Sequence, residues 1–256
     1  MSGLQVIILG CGTSGGVPRI GNDWGACDPG EPRNRRRRCS ILVRHGHANV
    51  LIDTSPDLRE QLLDAGISHL DGVVWTHDHA DQCHGIDDLR PLALRLQRPI
   101  EAWTDGATLR TLEARFGYCF SAPSGSLYPP IVSARDHGEK PFQVGGIGFT
   151  PMRQIHGRIV SYGFRFGDIA YSNDVAEFEE GVLDQLSGLK VWIVDAMRYK
   201  PHPTHAHLER TLSWIARIRP ERAILTNMHV DLDYRTLLRE LPPGVEPAYD
   251  GMVIEG

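Results

Sequence analysis

Val73-Val74-Trp75-Thr76-His77-Asp78-His79-Ala80-Asp81-Gln82-Cys83-His84-Gly85 is the stretch on which the reading of this chain turns. Two β-branched valines followed by a tryptophan predict a short buried strand. The chain leaves that strand with three histidines and two aspartates in eight positions, His77 to His84. Alternate side chains of an extended backbone point the same way, so His77 and His79 project to one side and Asp81 follows at the same step. Imidazole suits zinc and related ions, and a carboxylate adds a hard oxygen ligand. A solvent-facing loop accounts for one His-x-His pair but not for this density, so a metal site is expected here.

The 256 residues are 41% hydrophobic and 23% charged, the balance of an ordinary globular protein with length enough for a large core. A net charge of −5 and a pI near 6.2 argue against a globally basic nucleic-acid binder. Cys11, Cys27, Cys39, Cys83 and Cys119 form neither a Cys-x-x-Cys pair nor a disulfide framework, which fits a reducing compartment. No signal-peptide pattern opens the chain, and no apolar run approaches the roughly 20 residues of a membrane span. The expectation is a soluble, cytoplasmic protein with no membrane partner.

Leu4 to Leu9 predicts a strand, followed by the glycine-rich turn Gly10-Cys11-Gly12-Thr13-Ser14-Gly15-Gly16-Val17-Pro18. That turn lacks the ending of a phosphate loop and the dinucleotide spacing, and reads as a tight loop beside an active cleft. Residues 21 to 38 form a polar loop ending in Arg33-Asn34-Arg35-Arg36-Arg37-Arg38. Such a run is either a solvated face or, because guanidinium forks match phosphate oxygens, a phosphate-recognition surface; Arg35 and Arg36 are the candidates. Residues 40–44 and 49–53 predict a hairpin, with Asp53 closing the second strand, and Pro56 opens a helix to about Ala65, with Gly66 as its stop. Helical spacing runs over 85–96, a strand over 100–103, and Asp105 caps a helix to about 116. Residues 117–130 are rich in Pro, Ser and Gly. Strands follow at 131–134, 146–152, 161–166 and 168–172, with Gly167-Asp168 as a hairpin turn. A helix near 176–186, a strand at 191–194, a helix over 205–217 and a strand at 223–226 complete the rhythm. The whole, residues 1–256, reads as one α/β domain of two packed sheets with helices outside. His156, Asp174 and His229 also stand at predicted strand ends, where α/β folds place their sites.

Taken together, Thr76-His77-x-His79-x-Asp81, Gly85-Ile86-Asp87-Asp88, the lone His156, Ser172-x-Asp174 and Leu225-Thr226-Asn227 resemble the metallo-β-lactamase-fold hydrolases. The likeness covers nearly the whole chain. It is strongest toward the branch of the phosphoribosyl cyclic phosphate phosphodiesterase, and more distant toward ribonuclease Z. The opening Leu9-Gly10-Cys11-Gly12-Thr13-Ser14-Gly15-Gly16-Val17-Pro18 and the segment Pro203-Thr204-His205-Ala206-His207-Leu208 are similar to that branch too. The resemblance implies an αβ/βα four-layer sandwich with two mixed sheets and one or two divalent ions, zinc or manganese. It implies His77, His79 and His156 as ligands of a first metal, Asp174 as a bridge, and Asp81 as a ligand of a second. His205 matches the family's general acid, and Asp81 is counted with it among the catalytic candidates. The implied chemistry is hydrolysis of a small cyclic or nucleotide-like phosphate ester by metal-activated water.

Two departures stand out. The family places a histidine directly after the motif's aspartate, where this chain has Gln82, and a histidine where it has Asn227. Both belong to the second metal. His84 and His229 each lie two residues beyond a vacancy, so the second site is either re-formed by Asp81, His84 and His229 or empty. A third departure is the loop after Gly21, which keeps only Cys27 of the branch's cysteine cluster, so no structural zinc is expected. Arg198 and His207, close to His205 in the chain, are further substrate-binding candidates. Two other readings stay open: a tRNA 3′-processing endonuclease, and a nucleotide-phosphate binding protein with a degraded second metal site. The partner expected is a small phosphorylated substrate rather than nucleic acid, and a homodimer is left open.

Overall fold

The computed structural model describes residues 3–122, 125, 126 and 128–256. Positions 123, 124 and 127 of the Pro-, Ser- and Gly-rich connection lie outside the described residues. The first sheet is built from β1 (Leu4–Gly10), β2 (Ser40–His45), β3 (Ala48–Ile52), β4 (Gly72–Val74), β5 (Ile100–Thr104) and β6 (Val132–Asp136). The second is built from β7 (Phe142–Val144), β8 (Ile147–His156), β9 (Ile159–Phe166), β10 (Ile169–Ser172), β11 (Glu177–Phe178), β12 (Val191–Asp195), β13 (Arg222–Thr226) and β14 (Val245–Pro247). The chain's last strand, β15 (Val253–Glu255), returns to the first sheet beside β1.

Each sheet is antiparallel at one end and parallel at the other. The first runs β15-β1-β2-β3-β4-β5-β6, antiparallel as far as β3 and parallel from there. The second runs β11-β8-β9-β10-β12-β13-β14, antiparallel as far as β10 and parallel beyond, with β7 also paired to β8.

Strand periodicity explains the layering. Val6, Ile8, Ile41, Val43, Val50, Ile52 and Val74 face the second sheet and pack with Phe149, Phe164, Phe166 and Ile193. The intervening Ile7, Leu9, Leu42, Leu51 and Val73 face the other way, against Leu58, Leu62, Leu92 and Leu112 of α1 (Leu58–Asp64), α3 (Arg90–Leu96) and α4 (Gly106–Phe120). A strand apolar on both faces must be covered on both, and each buried aliphatic side chain contributes about 1.5–3 kcal/mol. On the second sheet's side Leu208, Leu212, Trp214, Ile215 and Ile218 of α5 (Leu208–Ile218) pack into the same continuous apolar cluster. The four-layer αβ/βα architecture implied by the resemblance is the one found.

Two predicted elements differ. Residues 176–186 form no α-helix: Glu177–Phe178 pairs with Gln154 and Ile155, Gly181 turns through φ 81°, and a single 3-10 turn spans Leu183–Leu186. The helix expected from His205 begins at Leu208, with His207 at its N-cap. Residues 201–206 are therefore irregular, which leaves His205 free of helical geometry. In addition, α6 (Tyr234–Glu240) and the two C-terminal strands had no counterpart in the sequence reading. No helix among the described residues is long and apolar enough to cross a membrane.

Two local constraints hold the site end of the molecule. Gly85 donates its N–H to the Thr54 carbonyl at 2.9 Å, and a Cβ there would lie 2.1 Å from the Ser55 carbonyl oxygen. Gly85→Ala is expected to lower stability by about 1–3 kcal/mol in urea unfolding. The Asp233 carboxylate caps α6 through Thr236 N–H (2.9 Å) and accepts from Asn34 Nδ2 (2.7 Å) and Asp28 N–H (3.2 Å), tying the arginine loop to the helix. Burial opposes ionisation of Asp233, but these donors hold its pKa below the ordinary 3.8, at about 2. A depressed folded pKa means that the contribution is present above the unfolded value and fades as pH falls through the folded one. Asp233→Ala should cost about 1–2 kcal/mol at pH 7, and the deficit relative to the parent should shrink between pH 4 and pH 2.

Candidate active site

The functional side chains stand where strands of both sheets end. After β4 the backbone runs extended to His79, and Asp78 turns away from the flanking histidines to pair with Arg115 at 3.3 Å. His79 then serves as N-cap of α2 (Ala80–Cys83), which sets Asp81 and Gln82 next to the imidazoles. His156 closes β8, Asp174 follows β10, Asp195 ends β12 and Asn227 follows β13.

Hydrogen bonding fixes the tautomers of His77 and His156. Asp53, at the end of β3, accepts from the Thr76 N–H at 2.8 Å and from its hydroxyl at 2.9 and 3.1 Å. The hydroxyl proton being given to the carboxylate, His77 Nδ1, 2.9 Å from Thr76 Oγ1, must be the donor of that bond. Its Nε2 is left with a lone pair, buried and without a hydrogen-bond partner. His156 Nδ1 lies 2.7 Å from the Thr204 carbonyl oxygen, which can only accept, so its Nε2 also carries a lone pair. That Nε2 stands 3.2 Å from His79 Nδ1. The three rings meet edge to face with centroids 4.6, 5.2 and 5.0 Å apart, and their ligand atoms all lie within 4.8 Å of one another. Burial, reinforced by the neighbouring imidazoles, drives the His77 pKa well below its usual value and that of His156 down to about 4. Rings aimed at one point, with an orphaned buried nitrogen among them, fit a divalent ion of the zinc type.

Asp174 extends this cluster. Its Oδ1 is 3.8 Å from His156 Nε2 and 3.6 Å from His205 Nδ1. Its Oδ2 accepts from Asn173 Nδ2 at 2.6 Å and from Gln82 Nε2 at 3.0 Å. Burial pushes the Asp174 carboxyl well above the usual carboxylate range. His205 Nδ1 lies 3.0 Å from Asp195 Oδ2. Burial alone would lower the His205 pKa, but the carboxylates of Asp195 and Asp174 hold it up at about 9. A cavity of about 220 Å³ opens onto these groups, lined by Thr13, Ser14, His79, Asp81, His156, Asp174, Met197, Thr204, His205 and Asn227.

Of the residues picked out from sequence, His77, His79, Asp81, His156, Asp174 and His205 come together. The others do not. His84 is exposed and packs its ring on Phe116, centroids 5.4 Å apart, because the single turn of α2 carries it away from Asp81. His229 pairs with Asp231 at 2.8 Å and meets Arg19 at 3.3 Å, outside the cavity. Arg36 is buried, donating to Leu232 O at 2.7 Å and Asn34 Oδ1 at 3.2 Å, and so serves the loop rather than a phosphate. Arg35 is exposed over the Trp24 ring. Arg198 closes its own loop on the carbonyls of Lys200 and Pro201, and His207 sits 4.0 Å from Glu209 at the head of α5. Sequence reasoning missed Asp195 and Thr204. The signal for Asp195 was there: it closes the apolar run Val191-Trp192-Ile193-Val194 as Asp53 closes its own strand.

The Asp53–Thr76–His77 relay sets the donor face of His77 without touching the cavity. Thr76→Val keeps the shape and removes the hydroxyl. It is expected to weaken zinc binding by about 10–100-fold in competition with a chromogenic chelator, and to lower the stability of the metal-free protein by about 1–3 kcal/mol, because the buried Asp53 carboxylate loses its hydroxyl donor.

Residues 48–228 match the family described as the Beta-lactamase superfamily domain. A crystal structure of a diphosphatase of the PhnP family is 35% identical, with a TM-score of 0.92 over 99% of this chain and 97% of that one. An octanoyltransferase of Porphyromonas gingivalis (strain ATCC BAA-308 / W83) is 31% identical over 252 residues, 97% of this chain but 51% of that protein, so the chain spans about half its length. Human tRNase Z, short form (ELAC1), at 20% identity and a TM-score of 0.65 over 98% of both chains, shares the fold. With its two mixed sheets and its cluster of histidines and aspartates at their ends, the chain belongs to the β-lactamase superfamily and has the metallo-β-lactamase fold.

Proposed function

We propose that the protein is a metal-dependent hydrolase that cleaves a phosphodiester or diphosphate bond in a small phosphorylated molecule, with His205 as general acid. The observation that carries this reading is the placement of His205, fixed by Asp195 at 3.0 Å with its ring centroid 4.6 Å from that of His156. A divalent ion held by His77, His79 and His156, with Asp174 beside them, would supply Lewis acidity toward water and phosphoryl oxygen. The chain's own groups supply the rest. With Nδ1 bonded to Asp195, His205 keeps Nε2 for a proton that a leaving oxygen can take, and Asp195 stabilises the cationic ring. Thr13 and Ser14 bring polar atoms from the glycine-rich turn to the cavity wall. A volume of about 220 Å³ suits a phosphoryl group and its immediate neighbours, with the remainder of the substrate outside. The 35% identity to a PhnP-family diphosphatase supports phosphate chemistry.

The test is hydrolysis of inorganic pyrophosphate and of bis-p-nitrophenyl phosphate by metal-loaded protein, before and after chelation. Activity on at least one of them, abolished by chelation and restored by metal, is the expected result. His205→Asn should lower kcat by about 10²–10⁴-fold at unchanged metal content. The loss should be smaller for the p-nitrophenyl ester, whose leaving group needs little protonation. A metal-loaded protein that hydrolyses neither compound, or a variant with undiminished kcat on both, overturns the assignment.

A further inference from the structure

We infer that this chain is built to hold a single metal ion, and that the Gln82 amide takes the place of a second one. The inference rests on the metal reading above and narrows it. Gln82 is fully buried, and its Nε2 lies 3.0 Å from Asp174 Oδ2 and 3.2 Å from Asp81 Oδ2. Its two N–H groups thus face two carboxylates that a second cation would have to share. A neutral donor already between them leaves those oxygens hydrogen-bonded and unavailable, and an amide nitrogen offers a metal no lone pair. Asp174 Oδ2 is engaged a second time by Asn173 Nδ2 at 2.6 Å.

The other side of that position is lined by a second neutral amide. Asn227 places its Nδ2 3.2 Å from His205 Nδ1, and its amide also favours the ionised form of Asp195. His156, Asp174 and His205 do present ligand atoms within 4.8 Å of one another. However, the His205 nitrogen nearest Asp174 is Nδ1, which is committed to Asp195 at 3.0 Å. His84 and His229, the two imidazoles near enough in sequence to replace the absent ligands, point elsewhere. Gln82 and Asn227 therefore act together: a ligand pair exchanged for two neutral amides, one bonded to Asp174 and Asp81 and the other set against His205 and Asp195.

Metal-free protein titrated with zinc in a calorimeter, with elemental analysis after gel filtration, tests this directly. The wild type should saturate at one ion per chain. Gln82→His combined with Asn227→His should take up a second ion, as should the nearly isosteric Gln82→Glu, which guards against misfolding of the double variant. Two ions in the wild type would overturn the inference and leave the hydrolase reading standing; if His205→Ala then loses one of them, the trio of His156, Asp174 and His205 is the second site. No bound ion at all would overturn both. One ion in every correctly folded variant would overturn the role given to Gln82.

Discussion

Everything at the sheet ends depends on three imidazoles pointing at one place. The carbonyl of Thr204 and the hydroxyl of Thr76 each take the Nδ1 proton of a histidine, so His156 and His77 have no choice of tautomer. Their free nitrogens then face the exposed His79 at the cavity, an arrangement that repels unless a proton or a cation lies among them. Burial disfavours the proton. The protein has in effect traded local stability for an electrophile's seat, as pre-organised sites commonly do.

Backbone strain accompanies that trade. Asp53, Asp174 and Asn227 are non-glycine residues in the left-handed region, at φ 65°, 51° and 59°, and each comes directly or one residue after a strand end. Such conformations cost of order 1–3 kcal/mol apiece and persist where surrounding structure over-determines them. Here the reason is legible: after the last strand residue the chain must swing its side chain back over the sheet edge, and a left-handed step does so within one residue. Asp53 thereby reaches Thr76, Asp174 reaches His156 and His205, and Asn227 reaches His205.

Much of this was legible in the sequence. The dense motif at 77–81, the hairpin at 40–53 and the apolar strands announced themselves through local pattern, and the two-sided apolarity of β1 to β3 required cover on both faces. What sequence left ambiguous was direction. Whether His84 turns toward Asp81 or away depends on where a one-turn helix ends, and whether Arg36 meets solvent or Leu232 depends on a contact 196 residues distant. Arginine-rich runs look alike in sequence whether they bind phosphate or staple loops. The segment 176–186 misled because its composition suits a helix, while Gly181 and the free edge of β8 favour a strand and a turn.

The candidate ligands also divide between the halves of the molecule. His77, His79 and Asp81 hang from the first sheet, and His156 and Asp174 from the second, with Tyr162 N–H bonded to the Thr76 carbonyl at 3.0 Å and Met228 N–H to the Cys11 carbonyl at 2.8 Å as backbone stitches between the halves. A cation gripped from both sides would work as a rivet through the sandwich. Its departure would free the two layers to breathe against each other, so amide protons along the facing strands, well away from the cavity, would begin to exchange with solvent.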